Sequence, residues 1–357
     1  MDMKFVDAME GARNCAITLA GVKRGENVFI LTDSNSDVRV AEALAAVCRE
    51  ARAKVTVAFM EPRSAPHEEP PKPIAAAIKA ADVFFEICEP MILYSQAARE
   101  AKANGARHIV CAMDSVDALC SEGARFPLEI IFAVCRKVFY QWRNGKVIHV
   151  TSESGTDIKA QLKPQYVVGG PMLPVEPGTF EVFAGGTGDV GMWPAWTAEG
   201  AMVFDCLHTF PGLLDPKPKI YVEKGQVVKV EGAPQHVEFF EGLKRDYGPD
   251  AWHLGELMIG LSPKARVTID DPSHLEAHRH AGCLHGTTGM SIDFYDDPAD
   301  RKTLKTKTSV DPGIHLDHLV IEPTIYIDDE ICVDKGHLVA LDDPEVKKLA
   351  EELGVTP

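Results

Sequence analysis

Apolar runs separated by segments of helical period dominate the beginning of the chain. Positions 28–33 (Val-Phe-Ile-Leu-Thr-Asp) read as a buried strand, and the Ala-rich stretch Val38–Ala53 reads as the helix that follows it. Lys54–Met60 predicts a second strand, after which come a Pro-rich loop at 61–73 and a helix over Ile74–Ala81. Asp82–Cys88 and Arg107–Met113 predict two more strands, separated by a helix over Ser95–Asn104 whose end Gly105 marks. Strands and helices alternating at this spacing predict a doubly wound parallel sheet, with ligands bound beyond the carboxyl ends of its strands. None of these strands is followed by a dinucleotide fingerprint or a P-loop, so no nucleotide cofactor is expected.

A long apolar helix, Phe126–Trp142, closes this domain at Asn144-Gly145. Beyond it the chain turns to short strands that read as antiparallel and rich in turn residues: 147–151, 157–162, 180–183 and 201–205, then a hairpin over 219–230 that turns at Lys224-Gly225. A second hairpin, from Thr324 through Lys335-Gly336 to Leu341, precedes a C-terminal helix capped by Asp342-Asp343-Pro344 and followed by Gly354. The expected fold class is therefore α/β. Residues 1–150 form a doubly wound parallel-sheet domain, and 151–357 form an α+β domain that carries a metal site.

Composition narrows the partners. With 53 acidic against 37 basic side chains the 357-residue chain carries a formal charge of -16, which disfavours nucleic acid and acidic membrane surfaces. No apolar run reaches the length of a membrane span, and the N-terminus is charged and amphipathic where a signal peptide needs an apolar core. The nine cysteines are scattered, form no Cys-x-x-Cys pair and are odd in number, as expected of reduced thiols. A cytoplasmic protein acting on a small molecule fits these features.

Candidate chemistry concentrates late in the chain. In Gly313-Ile-His315-Leu-Asp317-His318 an apolar strand opens with His-x-Asp; residues two apart on a strand share a face, so His315 and Asp317 make half of a metal site. Six further histidines also fall late, at 253, 274, 278, 280, 285 and 318. Asp189 in the glycine-rich loop 186–190, Glu256 in the apolar stretch 253–264, and His285 are the other ligand candidates; His278 and His280 read as surface or supporting groups. Oxygen donors with some imidazole suit a catalytic zinc, manganese, cobalt or iron better than a structural zinc, which draws on cysteines. The bland alternatives are a turn aspartate at 189, an ion-paired Glu256 and a core histidine at 285.

The ordered segments Gly188-Asp189-Val190, Ala198-Glu-Gly to Asp205, Gly255–Ala265, Ala281–His285 and His315-Leu-Asp317 resemble the signatures of the aminopeptidase T family of dinuclear metallopeptidases. That resemblance places Asp189, Glu256, His285, His315 and Asp317 around one or two divalent ions (zinc, manganese or cobalt), and it implies a homo-oligomer. Asp189 stands where the family has a glutamate, and Ile292 where it has a tyrosine. In length and layout, and in His315-Leu-Asp317 and Tyr326-Ile-Asp-Asp329, the chain also resembles an offshoot, the 2,5-dihydroxypyridine 5,6-dioxygenases, which hold one Fe(II) with two histidines and an aspartate. Glu256 occupies the position of one of those histidines, so a facial triad would recruit His253 or His285.

Glu256 therefore favours a metal-dependent hydrolase, in which metal-activated water attacks an amide or a small aromatic compound and Asp189 or His253 takes its proton. The alternative is a ring-opening Fe(II) dioxygenase, for whose aromatic substrate Trp193 and Trp196 would be apt neighbours. The remaining reading is a non-catalytic binding protein on an old fold.

Overall fold

The computed structural model describes residues 3–113, 115–169, 173–193, 195–207, 209–267, 275–289 and 315–357. It divides into two compact units. One comprises residues 1–132, 170–188 and 262–266, and the other 133–169, 189–261 and 267–357.

The chain starts with α1 (Met3–Arg13), which continues into a π-helical turn at Asn14–Leu19. It then alternates as its hydrophobic pattern requires: β1 (Asn27–Asp33), α2 (Val38–Glu50), β2 (Lys54–Met60), α3 (Lys72–Lys79), β3 (Val83–Ile87), α4 (Gln96–Ala103) and β4 (Arg107–Val110). β1 is buried from Val28 onward and β3 throughout, because a parallel strand covered on both faces has to be apolar on both. The helix starts follow from local chemistry. The Asp37 carboxylate accepts from the Arg39 backbone N–H at the start of α2, and the Ser95 hydroxyl from that of Ala98 at the start of α4. The short helices α5 (Val116–Leu119) and α6 (Glu122–Arg125) lead into α7 (Leu128–Asn144).

There follow β5 (Val147–Thr151), β6 (Asp157–Gln161) and β7 (Val167–Gly169), then β8 (Phe180–Val182). β8 departs from the sequence expectation of an antiparallel strand: it joins the first sheet parallel to β4, giving the order β2-β1-β3-β4-β8. A three-residue apolar run carries no signal of which edge it will pair with. The sheet is parallel and doubly wound, as the alternation predicts.

The second unit is built from β9 (Asp189–Met192), β10 (Glu199–Val203), β11 (Cys206–Leu207), β12 (Lys219–Glu223), β13 (Gln226–Glu231), α8 (Pro234–Tyr247), β14 (Leu254–Gly260), α9 (Leu275–Arg279), β15 (Leu284–Gly289), β16 (His315–Val320), β17 (Thr324–Ile327), β18 (Glu330–Asp334), β19 (His337–Leu338) and α10 (Pro344–Glu352). Its eight-stranded sheet runs β13-β12-β10-β6-β5-β17-β18-β19, and a six-stranded antiparallel sheet runs β11-β16-β15-β14-β9-β7. Every residue of β14 and β15 is buried, so these two strands form the rigid middle of the second sheet. No described helix is long and apolar enough to cross a membrane.

Candidate metal centre

Antiparallel pairing decides which side chains meet. Thr287 of β15 lies opposite Asp317 of β16 and opposite Glu256 of β14, while His285 opposes Met258 and His315 opposes Gly289. Directly paired residues project to the same face, so Glu256, His285, His315 and Asp317 all stand on one side of the sheet. A register shift between Leu254 and Glu256 bends β14 at this point, a common device beside functional sites.

Glu256, His315 and Asp317 bring one donor atom each to within 4.8 Å of one another. His315 Nε2 lies 3.4 Å from Asp317 Oδ1 and 3.6 Å from Glu256 Oε1, and His285 Nε2 lies 3.7 Å from the same Glu256 oxygen. These separations exceed the ~2.8 Å of a charge-assisted hydrogen bond. They match the edge of a polyhedron whose ligands sit about 2.1 Å from a central cation. The donor set thus has a spacing and composition that could hold a divalent ion.

Electrostatics agrees. Burial pushes the Glu256 carboxyl up to about 7, a push that His315 opposes and Asp317 reinforces. For His315 burial acts downward, but the Asp317 and Glu256 carboxylates outweigh it and raise the imidazole to about 9. Asp317 is held well below the usual carboxylate range, because the His315 and His278 imidazoles outweigh its burial. Without a cation these carboxylates therefore keep protons close by, and a cation would displace them. Burial and the neighbouring His278 push His285 well below its ordinary value, leaving it neutral, the form that ligates metal.

A short segment over the same face supports the cluster. α9 brings His278 parallel to His285, with ring centroids 4.6 Å apart and planes 12° from parallel. Arg279, also buried, forms an ion pair with Asp189. Both contacts depend on Gly260. The carbonyl oxygens of His278 and His280 and the carbonyl carbon of Arg279 lie against its α-carbon, in the space that a β-carbon would fill. Ala281 then bridges to Gly260, and the Gly282 N–H donates to the Gly260 carbonyl at 3.1 Å. Trp193, just beyond β9, puts its ring 6.1 Å from that of His315.

The sequence candidates thus divide. Glu256, His315 and Asp317 come together, with His285 beside Glu256. Asp189 is opposite Gly260, roughly 13 Å along β14 from Glu256 at ~3.3 Å per residue, and its carboxylate pairs with Arg279 instead of joining the cluster. His253 precedes β14; its backbone bridges to Gln226 and its carbonyl accepts from Gly289 at 2.8 Å, and its side chain is not one of the clustered donors. His278 is buried against the site rather than at the surface. Arg279 was missed, although its place between two histidines was a legible signal. His274 and Ile292 lie outside the described residues.

The chain matches the family model described as "NicX: 2,5-dihydroxypyridine 5,6-dioxygenase" over residues 9–340. A search of curated protein sequences finds no match. Among solved structures, the 2,5-dihydroxypyridine dioxygenase from Pseudomonas putida KT2440 superposes with a TM-score of 0.76 at 20% identity, covering 96% of this chain and 99% of that one. AmpT from Thermus thermophilus superposes with a TM-score of 0.64 at 15% identity, covering 94% of this chain and 99% of its own. At such identities these neighbours speak for the fold, and the family match speaks for kinship: the chain belongs to the NicX, 2,5-dihydroxypyridine 5,6-dioxygenase, family.

Proposed function

We propose that the protein is a ring-opening dioxygenase for a dihydroxylated pyridine or a closely similar electron-rich ring, using one Fe(II) held by Glu256, His315 and Asp317 with His285 as a further nitrogen ligand. The observation that carries this reading is the spacing of the donors on β14, β15 and β16, together with the family match. It displaces the hydrolase that the sequence alone favoured. A dinuclear hydrolase asks Asp189 for a ligand, and Asp189 is instead neutralised by Arg279.

Iron(II) bound there would supply the redox chemistry that joins dioxygen to an aromatic diol. The remaining work belongs to the chain. Asp317 and Glu256 balance the charge of a divalent cation, and the three central strands fix their donor atoms. His278 stacked on His285 holds that ring in its orientation, as partners of ligating histidines commonly do. The indole of Trp193 lies beside the His315 ring, with centroids 6.1 Å apart.

The test is metal content. Protein purified anaerobically without a metal-affinity tag should carry about one iron per chain, removable by chelator together with oxygen uptake. About two zinc, manganese or cobalt ions per chain, with Asp189→Ala losing one of them, would return the reading to hydrolysis.

A further inference from the structure

The antiparallel ladder that gathers the candidate ligands places one more polar side chain in their midst. Thr287 of β15 lies directly opposite Glu256 on β14 and directly opposite Asp317 on β16, so it stands on the face that carries both carboxylates. It is fully buried, and its hydroxyl has no hydrogen-bond partner among the described residues. A β-branched residue suits this strand, but valine would fill the place without a polar atom. A buried hydroxyl left unpaired costs stability that valine would keep.

The side chain across the ladder has the complementary need. The Glu256 carboxylate is buried, and the ring nitrogens of His315 and His285 stand 3.6 and 3.7 Å from its Oε1, beyond hydrogen-bond length. Asp317 has an imidazole closer, with His315 Nε2 at 3.4 Å, so Glu256 is the carboxylate in greater need of a donor. The backbone leaves room for one. Gly255 lies in the irregular stretch of β14 just before Glu256, and a β-carbon on it would come within 2.6 Å of Thr287 Oγ1. The hydroxyl therefore lies beside Gly255, one residue from Glu256.

We propose that Thr287 is a positioning residue of the metal centre: with a divalent cation bound, its hydroxyl donates to the Glu256 carboxylate and fixes the orientation in which that group holds the cation. Hydrogen-bond partners of ligating carboxylates commonly act in this way. The inference rests on the proposed centre, and it is independent of the ring-opening reaction and of the choice of iron.

Calorimetric titration of the metal-free full chain with Mn(II), together with denaturant unfolding of the same protein, tests it. Thr287→Val keeps the shape and removes the hydroxyl; the metal-free fold should be at least as stable as wild type, while Mn(II) binding weakens about tenfold or more. Thr287→Ser keeps the hydroxyl and loses a buried methyl; it should be less stable yet bind Mn(II) close to wild-type affinity. Stability and affinity then move in opposite directions, which a change in packing alone does not produce. A Thr287→Val that binds Mn(II) as tightly as wild type overturns the proposal, and so does a Thr287→Ser that binds as weakly as Thr287→Val. Should Thr287→Val fail to fold, Thr287→Ser against Thr287→Ala decides: tighter binding by the serine variant supports the hydroxyl's role, and equal affinities overturn it. A wild type that takes up no Mn(II) overturns the metal centre itself and this role with it, an outcome distinct from any in which only the variants fail.

Discussion

Adding one methyl group at Gly260 should damage the metal centre without touching a ligand. The β-carbon of Gly260→Ala would enter the space held by the backbone of His278, Arg279 and His280. Backbone cannot rotate away as a side chain can, so the segment would have to recede by about 1 Å to regain ordinary contact distance. Overpacking of this kind costs roughly 1–3 kcal/mol of stability. The more specific effect is on the site, since that segment carries the His278 ring that stacks on His285 and the Arg279 that pairs with Asp189. Loss of such outer support commonly lowers metal affinity by about 10–100-fold. Metal affinity is read by calorimetric titration of the metal-free protein with Mn(II), a redox-stable stand-in, and folding by circular dichroism. A folded Gly260→Ala that binds metal as tightly as wild type would refute the claim that α9 positions the centre.

Three more expectations follow from the charges. Metal has to displace the proton that His315 holds up to about pH 9 and the one that Glu256 holds up to about pH 7, so affinity should rise roughly tenfold per pH unit from 7 to 9 and more steeply below 7; a flat profile counts against these two as ligands. Asp189→Ala should remove a carboxylate partner of the buried Arg279 and lower stability in denaturant unfolding, while leaving the number of metal ions per chain unchanged. His318 stacks on Phe204 with centroids 4.0 Å apart, and burial pushes its imidazole down to about 3 from an ordinary value of 6.5. Its neutral form therefore contributes stability that is complete above pH 6.5 and is lost as pH falls toward 3, by up to about 1.4 kcal/mol per unit. Urea unfolding of His318→Leu should show a shallower loss between pH 6 and 4, and a slope equal to wild type would assign the acid sensitivity to other groups.

How far the sequence reached follows from the range of the interactions involved. Periodicity is local, so the alternating strands and helices of the first sheet were legible, as was the shared face of His315 and Asp317, which needs only two residues of one strand. Glu256 and His285 were nominated by residue type and context, and then by resemblance, while their meeting depends on the register of three strands far apart in the chain. Pairing rules would not have found the partner of Asp189. Arg279 lies 90 positions downstream, and the pair exists because Gly260 lets a distant segment lie against β14. β8 was misjudged for a similar reason. Its three residues report strand character, while its place beside β4 is settled by the whole sheet. Where the sequence pointed to hydrolysis, it did so through one carboxylate, Glu256, whose type is visible in a sequence but whose neighbours are not.

Oxygen consumption tests the central claim most directly. Protein reconstituted anaerobically with Fe(II) and mixed with 2,5-dihydroxypyridine in an oxygen-electrode cell should take up about one dioxygen per molecule of substrate lost, with the aromatic absorbance disappearing in step, and Glu256→Ala or His315→Ala should abolish both. No iron-dependent uptake with dihydroxypyridines or catechols, alongside amide hydrolysis supported by zinc or manganese, would contradict the account.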